Sequence, residues 1–421
     1  MKKTGRFNES PGSYQIDLFE HVAGAYAQPV TGRLSNEELY RISTGRAGID
    51  PSLLEQKQPV GRAGTKRNIL KRDIRWKQQS LRALGLLEKV DGQRGIWELT
   101  KLGRATLCKI KEDVAVLGFS TNLGIAVLGN CRYVFDRWNE PIFLCLTSPP
   151  YPVKKARAYG KICETQYTDF ISRILEPIIR NLIPGGSIAI NVSNDIFKEG
   201  LPSRSLYLEK LTIALCERFG LALMDRLVWE NPNKPPGPYQ WASRARVQLN
   251  YGYEPILWFC NDPRKCIADN RRVLEAHTPA HLKLISSGGE LRERINSDGA
   301  YRVRQGAYSK LTDGRIPKNV LRVSSTCQSQ RIYKRAAKDL GLTAHGAPMP
   351  LALARKLIRF LTDVGNLVVD PCAGSMTTPL AAELENRAWV ASDTVFDYVR
   401  GGAERFRGRD GFDLALGKRP N

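Results

Sequence analysis

An apolar run, Ile142–Leu146, carries the chain into Thr147-Ser148-Pro149-Pro150-Tyr151. Neither proline has an N–H to donate, so a strand cannot extend its ladder through them and the backbone must turn there. The bend is stiff and displays a small hydroxyl and an aromatic ring, with Lys154 and Lys155 immediately behind. A plain strand-ending turn is the other reading of the same residues. A second chemical stretch begins at Asn366, where an apolar strand ends at Asp370. A turn follows through Pro371-Cys372-Ala373-Gly374-Ser375, then a helix with Leu380, Ala381 and Leu384, and then a strand ending at Asp393. A small-residue turn lets a ligand approach backbone N–H groups closely, and an acid at the end of the next strand can accept both hydroxyls of a ribose. That arrangement suits a nucleoside cofactor. The G-x-G-x-x-G fingerprint of a dinucleotide site is missing, and an ordinary strand-to-helix connection stays open.

Elements of known kinds must position these loops. The 421 residues, 42% of them hydrophobic, suffice for two or three domains with sizeable cores. A net charge of +22 with a pI near 9.7 points to a polyanionic partner. Nine cysteines at irregular spacing read as reduced thiols rather than a disulfide framework. No apolar window approaches the roughly 18 residues of a membrane helix, and the basic N-terminus leads into no apolar stretch, so a cytoplasmic protein without a membrane partner is expected.

Residues 1–30 read as an arm. Within 31–110, Ser35 and Glu38 have capping-box spacing, and a helix from about Thr65 carries Leu70, Ile74, Leu81 and Leu84. Leu86–Val90 and Gly95–Leu99, separated by Asp91-Gly92 and a polar turn, predict a hairpin. Helices followed by a hairpin make a small winged-helix domain. Its helix is dense in cations, Lys66, Arg67, Lys71, Arg72 and Arg75 among them, so it is a candidate DNA-binding element as well as a candidate solvated face. From about 120, apolar runs alternate with helical patterns, which predicts an open α/β sheet. The candidate strands are Ile142–Leu146, Ser187–Val192, Arg226–Trp229, Pro255–Phe259, Asn366–Asp370 and Trp389–Ser392. The pattern breaks over 262–340, where Arg271, Arg272, Arg302 and Arg304 lie in an Arg-, Gly- and Ser-rich stretch that reads as an insertion for contact. The body then divides into 120–261 and 341–410, with a tail at 411–421.

Taken together, the two loops resemble the amino-methyltransferases of DNA. That family carries a [DNS]-P-P-[YFW] catalytic loop and a D-P-F-x-G-S-G-T-T-like cofactor loop. Here the catalytic loop comes first with the basic stretch between, the order of the family's β group. "LIPGGSIAINVSND" from 182, "LVWENPNKPPGP" from 227 and "HGAPMPLALARKLIRFL" from 345 extend the resemblance over about 120–408. It implies a Rossmann-like methyltransferase sheet with circularly permuted motif order, an inserted target-recognition region, S-adenosylmethionine as cofactor and double-stranded DNA as partner. A cognate restriction endonuclease would be a genetic partner only.

The resemblance places His345, Ala347 and Pro350 beside the methionine part of the cofactor. It places Asp370, Cys372, Gly374 and Ser375 at its turn, and Asp393 at the ribose. Cys372 stands where the family has Phe, and Met376 where it has Gly. Ser148 and the Pro149 carbonyl would accept the N–H bonds of an exocyclic amine, Pro150 would fix the turn, and Tyr151 would stack on a base flipped from the duplex. Serine at the first position leans towards cytosine N4, with adenine N6 as the alternative. A DNA-binding regulator that keeps the fold without turnover is the rival of another class. Pro371-Cys372 looks like the Pro-Cys nucleophile of cytosine C5 enzymes, but it lies in the cofactor turn. His277 and His281 have a metal-binding spacing, but Pro279 argues against a helix through both, and no metal is expected.

Overall fold

Adjacent apolar strands that differ widely in sequence position settle into one ten-stranded mixed sheet in the computed structural model. It describes residues 21–26, 32–60, 65–83, 85–100, 103, 114–152 and 164–416. Lys154 and Lys155 lie outside these residues.

The sheet contains β6 (Ala115–Ser120), β7 (Gly124–Gly129), β8 (Ile142–Thr147), β9 (Leu182–Asn191), β10 (Ala222–Glu230) and β11 (Tyr253–Cys260). It is completed by β14 (Val320–Arg322), β15 (Leu367–Asp370), β16 (Ala388–Asp393) and β17 (Asp413–Leu414), in the order β14-β10-β11-β9-β8-β15-β16-β7-β6-β17. The central strands β9, β8, β15, β16 and β7 run parallel. Their side chains are buried on both faces, as parallel strands require: Val368 enters one apolar cluster and its neighbour Val369 the other. Helices α4 (Tyr167–Arg180) and α5 (Tyr207–Phe219) cover the face that holds Ile142 and Ile190. Helices α8 (Leu351–Leu361), α9 (Thr377–Leu384) and α10 (Phe396–Ala403) cover the other.

All six candidate strands are present. Four more were not expected from the sequence. β6 begins at Ala115, so the body starts before residue 120. β14 is three residues long and pairs with β10, and α7 (Gln328–Asp339) packs on the body through Tyr333 and Ala337. The stretch 262–340 is therefore not wholly an insertion: its ends belong to the body. What projects between them is helix α6 (Pro279–Ser286) and the hairpin β12 (Arg294–Asn296) with β13 (Tyr301–Val303). Pro279 is the first residue of α6, where a missing N–H costs nothing, and Thr278 caps the helix by accepting from the His281 N–H. His277 thus stays outside the helix and bonds the Thr312 carbonyl.

In the N-terminal module, β1 (Arg33–Ser35), β4 (Leu87–Lys89) and β5 (Ile96–Leu99) form a three-stranded antiparallel sheet in the order β1-β5-β4. Ser35 and Glu38 close the expected capping box on α1 (Asn36–Arg46). The second helix, α2 (Ile69–Ala83), starts at Ile69 rather than Thr65. The difference arises because Thr65–Arg67 forms strand β3, paired with β2 (Gln58–Val60), and Asn68 then turns the chain by accepting the Lys71 N–H. Lys66 and Arg67 consequently sit on a strand, off the helix. No helix among the described residues is long and apolar enough to cross a membrane.

Candidate active site

The two chemical loops are 223 residues apart in the chain yet adjacent in space, because β8 and β15 are neighbouring parallel strands with Leu144 opposite Val368 and Cys145 opposite Val369. From β8 the chain proceeds to β9 on one side, and from β15 to β16 on the other. The strand order reverses between them, which opens a crevice at their carboxyl ends. Ser148, Pro149, Pro150 and Tyr151 enter it from one side, and His345, Ala347, Cys372 and Asp393 from the other. They line a cavity of about 420 Å³ that Asn130, Arg132, Phe170, Arg173 and Tyr398 complete.

Ser148 is held by a small polar cluster. Its Oγ donates to Asn191 Oδ1 at 3.2 Å and lies 3.1 Å from the Tyr151 hydroxyl. Tyr151 Oη reaches Asn191 Oδ1 at 3.4 Å and Glu254 Oε2 at 3.5 Å. Glu254, on β11, is paired with Lys234 at 2.7 Å, both of them largely buried. Asn191 sits at the end of β9, inside the block 182–195, although nothing in that block singled it out. Lys234 lies inside the block from 227, but nothing singled out either it or Glu254, since their meeting depends on the antiparallel pairing of β10 with β11.

On the cofactor-loop side, Asp393 accepts the Gly374 N–H at 2.8 Å through one oxygen and the Val395 N–H at 2.8 Å through the other. Asp370 is buried beneath the turn and accepts the Cys372 N–H at 3.1 Å. Burial pushes its carboxyl up to about 6, partly offset by the Thr378 hydroxyl. A hydrogen bond with Cys131 and burial raise the Cys372 thiol well above its ordinary range, the opposite of what a nucleophilic cysteine needs. Gly374 lies against His345: a Cβ there would stand 3.1 Å from the imidazole ring. Ser375 is buried and its hydroxyl meets that of Thr377 at 3.1 Å. The turn is braced from behind by Arg405, which donates to the Ser375 carbonyl and the Thr377 hydroxyl, each at 2.8 Å; burial lowers its guanidinium to about 10. His345 is fixed through its own N–H, 2.8 Å from the Tyr333 hydroxyl, and its ring meets Tyr398 edge-on. Pro350 is the exception among the expected cofactor residues. It is buried as the residue preceding α8, and Pro348 and Met349 line the crevice in its place.

The candidate DNA-contacting residues fall into two kinds. Arg72, Arg75 and Lys66 are exposed, whereas Lys71 is half-buried, 5.5 Å from the Tyr40 ring. Arg271 is clamped on Asp269, whose carboxyl it lowers to about 2, and Arg272 bridges Asp363 and the Ile267 carbonyl. Arg302 pairs with Glu293, while Arg304 is exposed with no acid in ion-pair range among the described residues. Trp76, which sequence reasoning passed over, stands 71% exposed beside Arg72 and Arg75 on α2. No group of metal-ligating side chains occurs among the described residues.

Residues 142–404, spanning both loops and the stretch between them, match the DNA methylase family of N6 and N4 amino-methyltransferases. The chain belongs to that family. It is 28% identical over 291 residues to the type II methyltransferase M.PvuII of Proteus hauseri, an alignment covering 68% of this chain and 85% of the relative. The solved structure of PvuII DNA methyltransferase (cytosine-N4-specific) superposes with a TM-score of 0.53 at 26% identity, covering 68% of this chain and 87% of that one. The DNA adenine methyltransferase YhdJ of Escherichia coli K12 is 23% identical over 272 residues, covering 63% of this chain and 76% of the relative.

As a member of the family the protein is a DNA methyltransferase, and its methyl donor is S-adenosylmethionine. The cavity fits that donor on its own chemistry. Asp393 offers a carboxylate, the Cys372-Ala373-Gly374 turn offers small side chains, and the close approach of His345 to Gly374 leaves a cradle that a Cβ would fill.

Proposed function

We propose that the protein is a site-specific DNA methyltransferase that methylates the exocyclic N4 amine of a cytosine flipped out of the duplex. The observation that carries this reading is the place of one hydroxyl. Ser148 lines the cavity beside Pro149 and Tyr151, with its Oγ held 3.2 Å from Asn191 Oδ1, where it can accept an N–H of a substrate amine.

An exocyclic amine is a poor nucleophile because its lone pair is delocalised into the ring. Two acceptors, Ser148 Oγ and the Pro149 carbonyl, draw its N–H bonds out of the ring plane and localise that pair on nitrogen. S-adenosylmethionine bound against Asp393 and the 372–374 turn supplies an electrophilic methyl group. The two prolines hold the acceptors still, so positioning of two reactants contributes several kcal/mol of the rate enhancement. A proton must leave the amine as the N–C bond forms. The Tyr151 hydroxyl, which reaches the Glu254 carboxylate, can pass that proton on, while the methyl–sulfur bond breaks and its electron pair stays on sulfur. The Tyr151 ring face stacks on the flipped base, and flipping is obligatory because a paired, stacked amine cannot reach the cavity.

Serine at position 148 and the cytosine-N4-specific PvuII structure support cytosine over adenine. In this reading the N-terminal helices and three-stranded sheet act as a winged-helix module that lays α2 on DNA. The α6 and β12–β13 projection is the target-recognition region, and the catalytic loop precedes the cofactor loop by circular permutation. Methylation-aware sequencing of DNA from cells expressing the protein, with Ser148→Ala as control, tests the proposal. N4-methylcytosine at one defined sequence, lost in the variant, is expected. N6-methyladenine would overturn the base assignment, and no mark at all would overturn the enzymatic reading.

A further inference from the structure

Residues 231–252, which connect β10 to β11, form a loop that is tied to the catalytic cluster at its neck and apolar at its tip. The neck is closed by backbone bonds from Asn231 to Gly252 (3.0 Å) and from Tyr251 to Gly237 (2.9 Å). Inside it, Lys234 spans the Tyr251 ring at 4.4 Å and Glu254 at 2.7 Å, and Glu254 in turn reaches Tyr151. Gln248 fastens the outer part to the Pro202 carbonyl at 3.1 Å. The tip has a shape of its own: Tyr239–Arg244 is a π-helical turn, and the Val247 N–H bonds the Trp241 carbonyl at 2.9 Å.

That ordered tip presents what a soluble surface ordinarily hides. Leu249 is 87% exposed, Tyr239 70% and Val247 59%. Arg244 and Arg246 are exposed among them, and the loop holds no acidic residue. Apolar side chains flanked only by cations suit a polyanion whose interior is apolar, which describes a duplex with its stacked bases. Tyr239 stands five positions after Lys234, a span of at most about 17 Å, and Leu249 two positions before Tyr251, at most about 7 Å, so the tip hangs directly from the cluster that holds Tyr151.

We propose that this loop is the wedge that opens the duplex. Leu249 and Tyr239 enter the stack where the target base leaves and take over its lost contacts, while Arg244 and Arg246 hold the flanking phosphates. Flipping costs unpairing and unstacking, least where the base is already unpaired, and an apolar side chain in the gap offsets part of that cost. The inference rests on the methyltransferase reading above and assigns the base-extruding step of that site to named residues.

The test uses the full-length protein, labelled S-adenosylmethionine and duplexes carrying the sequence mapped from expressing cells. One duplex is fully paired, and the other places an abasic position opposite the target. Leu249→Ala combined with Tyr239→Ala should lower kcat/KM on the paired duplex by about tenfold or more, yet leave the abasic duplex within about twofold of wild type. Methylation of the abasic duplex also shows that the variant is folded. Wild-type rates on both duplexes, or equal losses on both, would overturn the wedge. A wild-type protein that methylates neither duplex would overturn the methyltransferase reading itself, and the wedge would fall with it.

Discussion

Met376 lies in the left-handed backbone region, at φ 59° and ψ 38°, and its side chain fills the space above Gly402 on α10. The family pattern has glycine at this position, and the backbone shows why: only glycine takes that conformation without cost. Here the methionine is accommodated because position 402 has no Cβ; one built there would stand 2.4 Å from Met376 Cγ. Met376 and Gly402 are one packing solution.

Gly402→Ala should therefore destabilise the protein by about 1–3 kcal/mol through overpacking. Met376→Gly relieves the backbone but vacates buried volume, and costs about 2 kcal/mol. The double variant should be more stable than the sum of the two predicts, by about 1 kcal/mol, because the alanine methyl refills part of the gap. Additive melting shifts would show that the residues do not share that space.

Ser148→Ala should reduce turnover about a hundredfold, the scale of losing one preorganised polar group at a reacting centre. Cofactor affinity measured by calorimetry should stay within about twofold, since the Ser148 hydroxyl bonds Asn191 and meets Tyr151 rather than any group of the cofactor turn. A parallel loss of affinity would move Ser148 to the cofactor side of the cavity.

Asp393 accepts two backbone N–H groups, and the ribose contact proposed for it separates from that role by substitution. Asp393→Asn keeps an acceptor for one of the Gly374 and Val395 N–H groups but loses the charge offered to a ribose. Cofactor affinity should drop about tenfold or more, in line with the 1.5–3 kcal/mol of a charged hydrogen bond. Asp393→Ala should in addition lower the melting temperature, because both N–H groups lose their acceptor. Unchanged affinity in both variants would place the ribose elsewhere.

Asp370 makes stability depend on pH. Its folded carboxyl titrates near 6, against 3.8 for the unfolded chain, so the folded state holds its proton longer. The contribution is complete below about pH 4 and is lost as pH rises through 6, a change of roughly 2–3 kcal/mol. Asp370→Asn should flatten the stability profile between pH 4 and 6 relative to wild type. Denaturant titrations with parallel profiles for the two proteins would contradict the buried, protonated acid.

What the sequence revealed and what it hid divide along one physical line. The Ser148-Pro149-Pro150-Tyr151 and Asp370–Ser375 loops were legible because local chain constraints create them: prolines that end a ladder, small residues that admit a ligand. The capping box of Ser35 and Glu38 was legible for the same reason. The Asn191, Glu254 and Lys234 cluster, the Arg405 brace and the pairing of Met376 with Gly402 were not, because each depends on segments brought together by strand order. β14 was missed since three residues carry no periodicity, and the start of α2 was misplaced since β3 supplies no apolar alternation to separate it from the helix.

The same reasoning divides the cations of α2 by what already holds them. Lys71 is engaged by the Tyr40 ring and lies 3.8 Å from Glu55, whereas Arg72 and Arg75 point into solvent on either side of an exposed turn that also carries Trp76. If the module contributes backbone contacts while the α6 and β12–β13 projection reads bases, Arg72→Gln with Arg75→Gln should weaken DNA binding and leave the methylated sequence unchanged. Each lost phosphate contact lowers the slope of log affinity against log salt by about 0.9, so the double variant should be shallower by about 1.8. Lys71→Gln should change the slope less, because its ammonium is already partnered. A relaxed or altered methylation site in the double variant would show that α2 takes part in base readout, and an unchanged slope would remove this helix from the DNA interface.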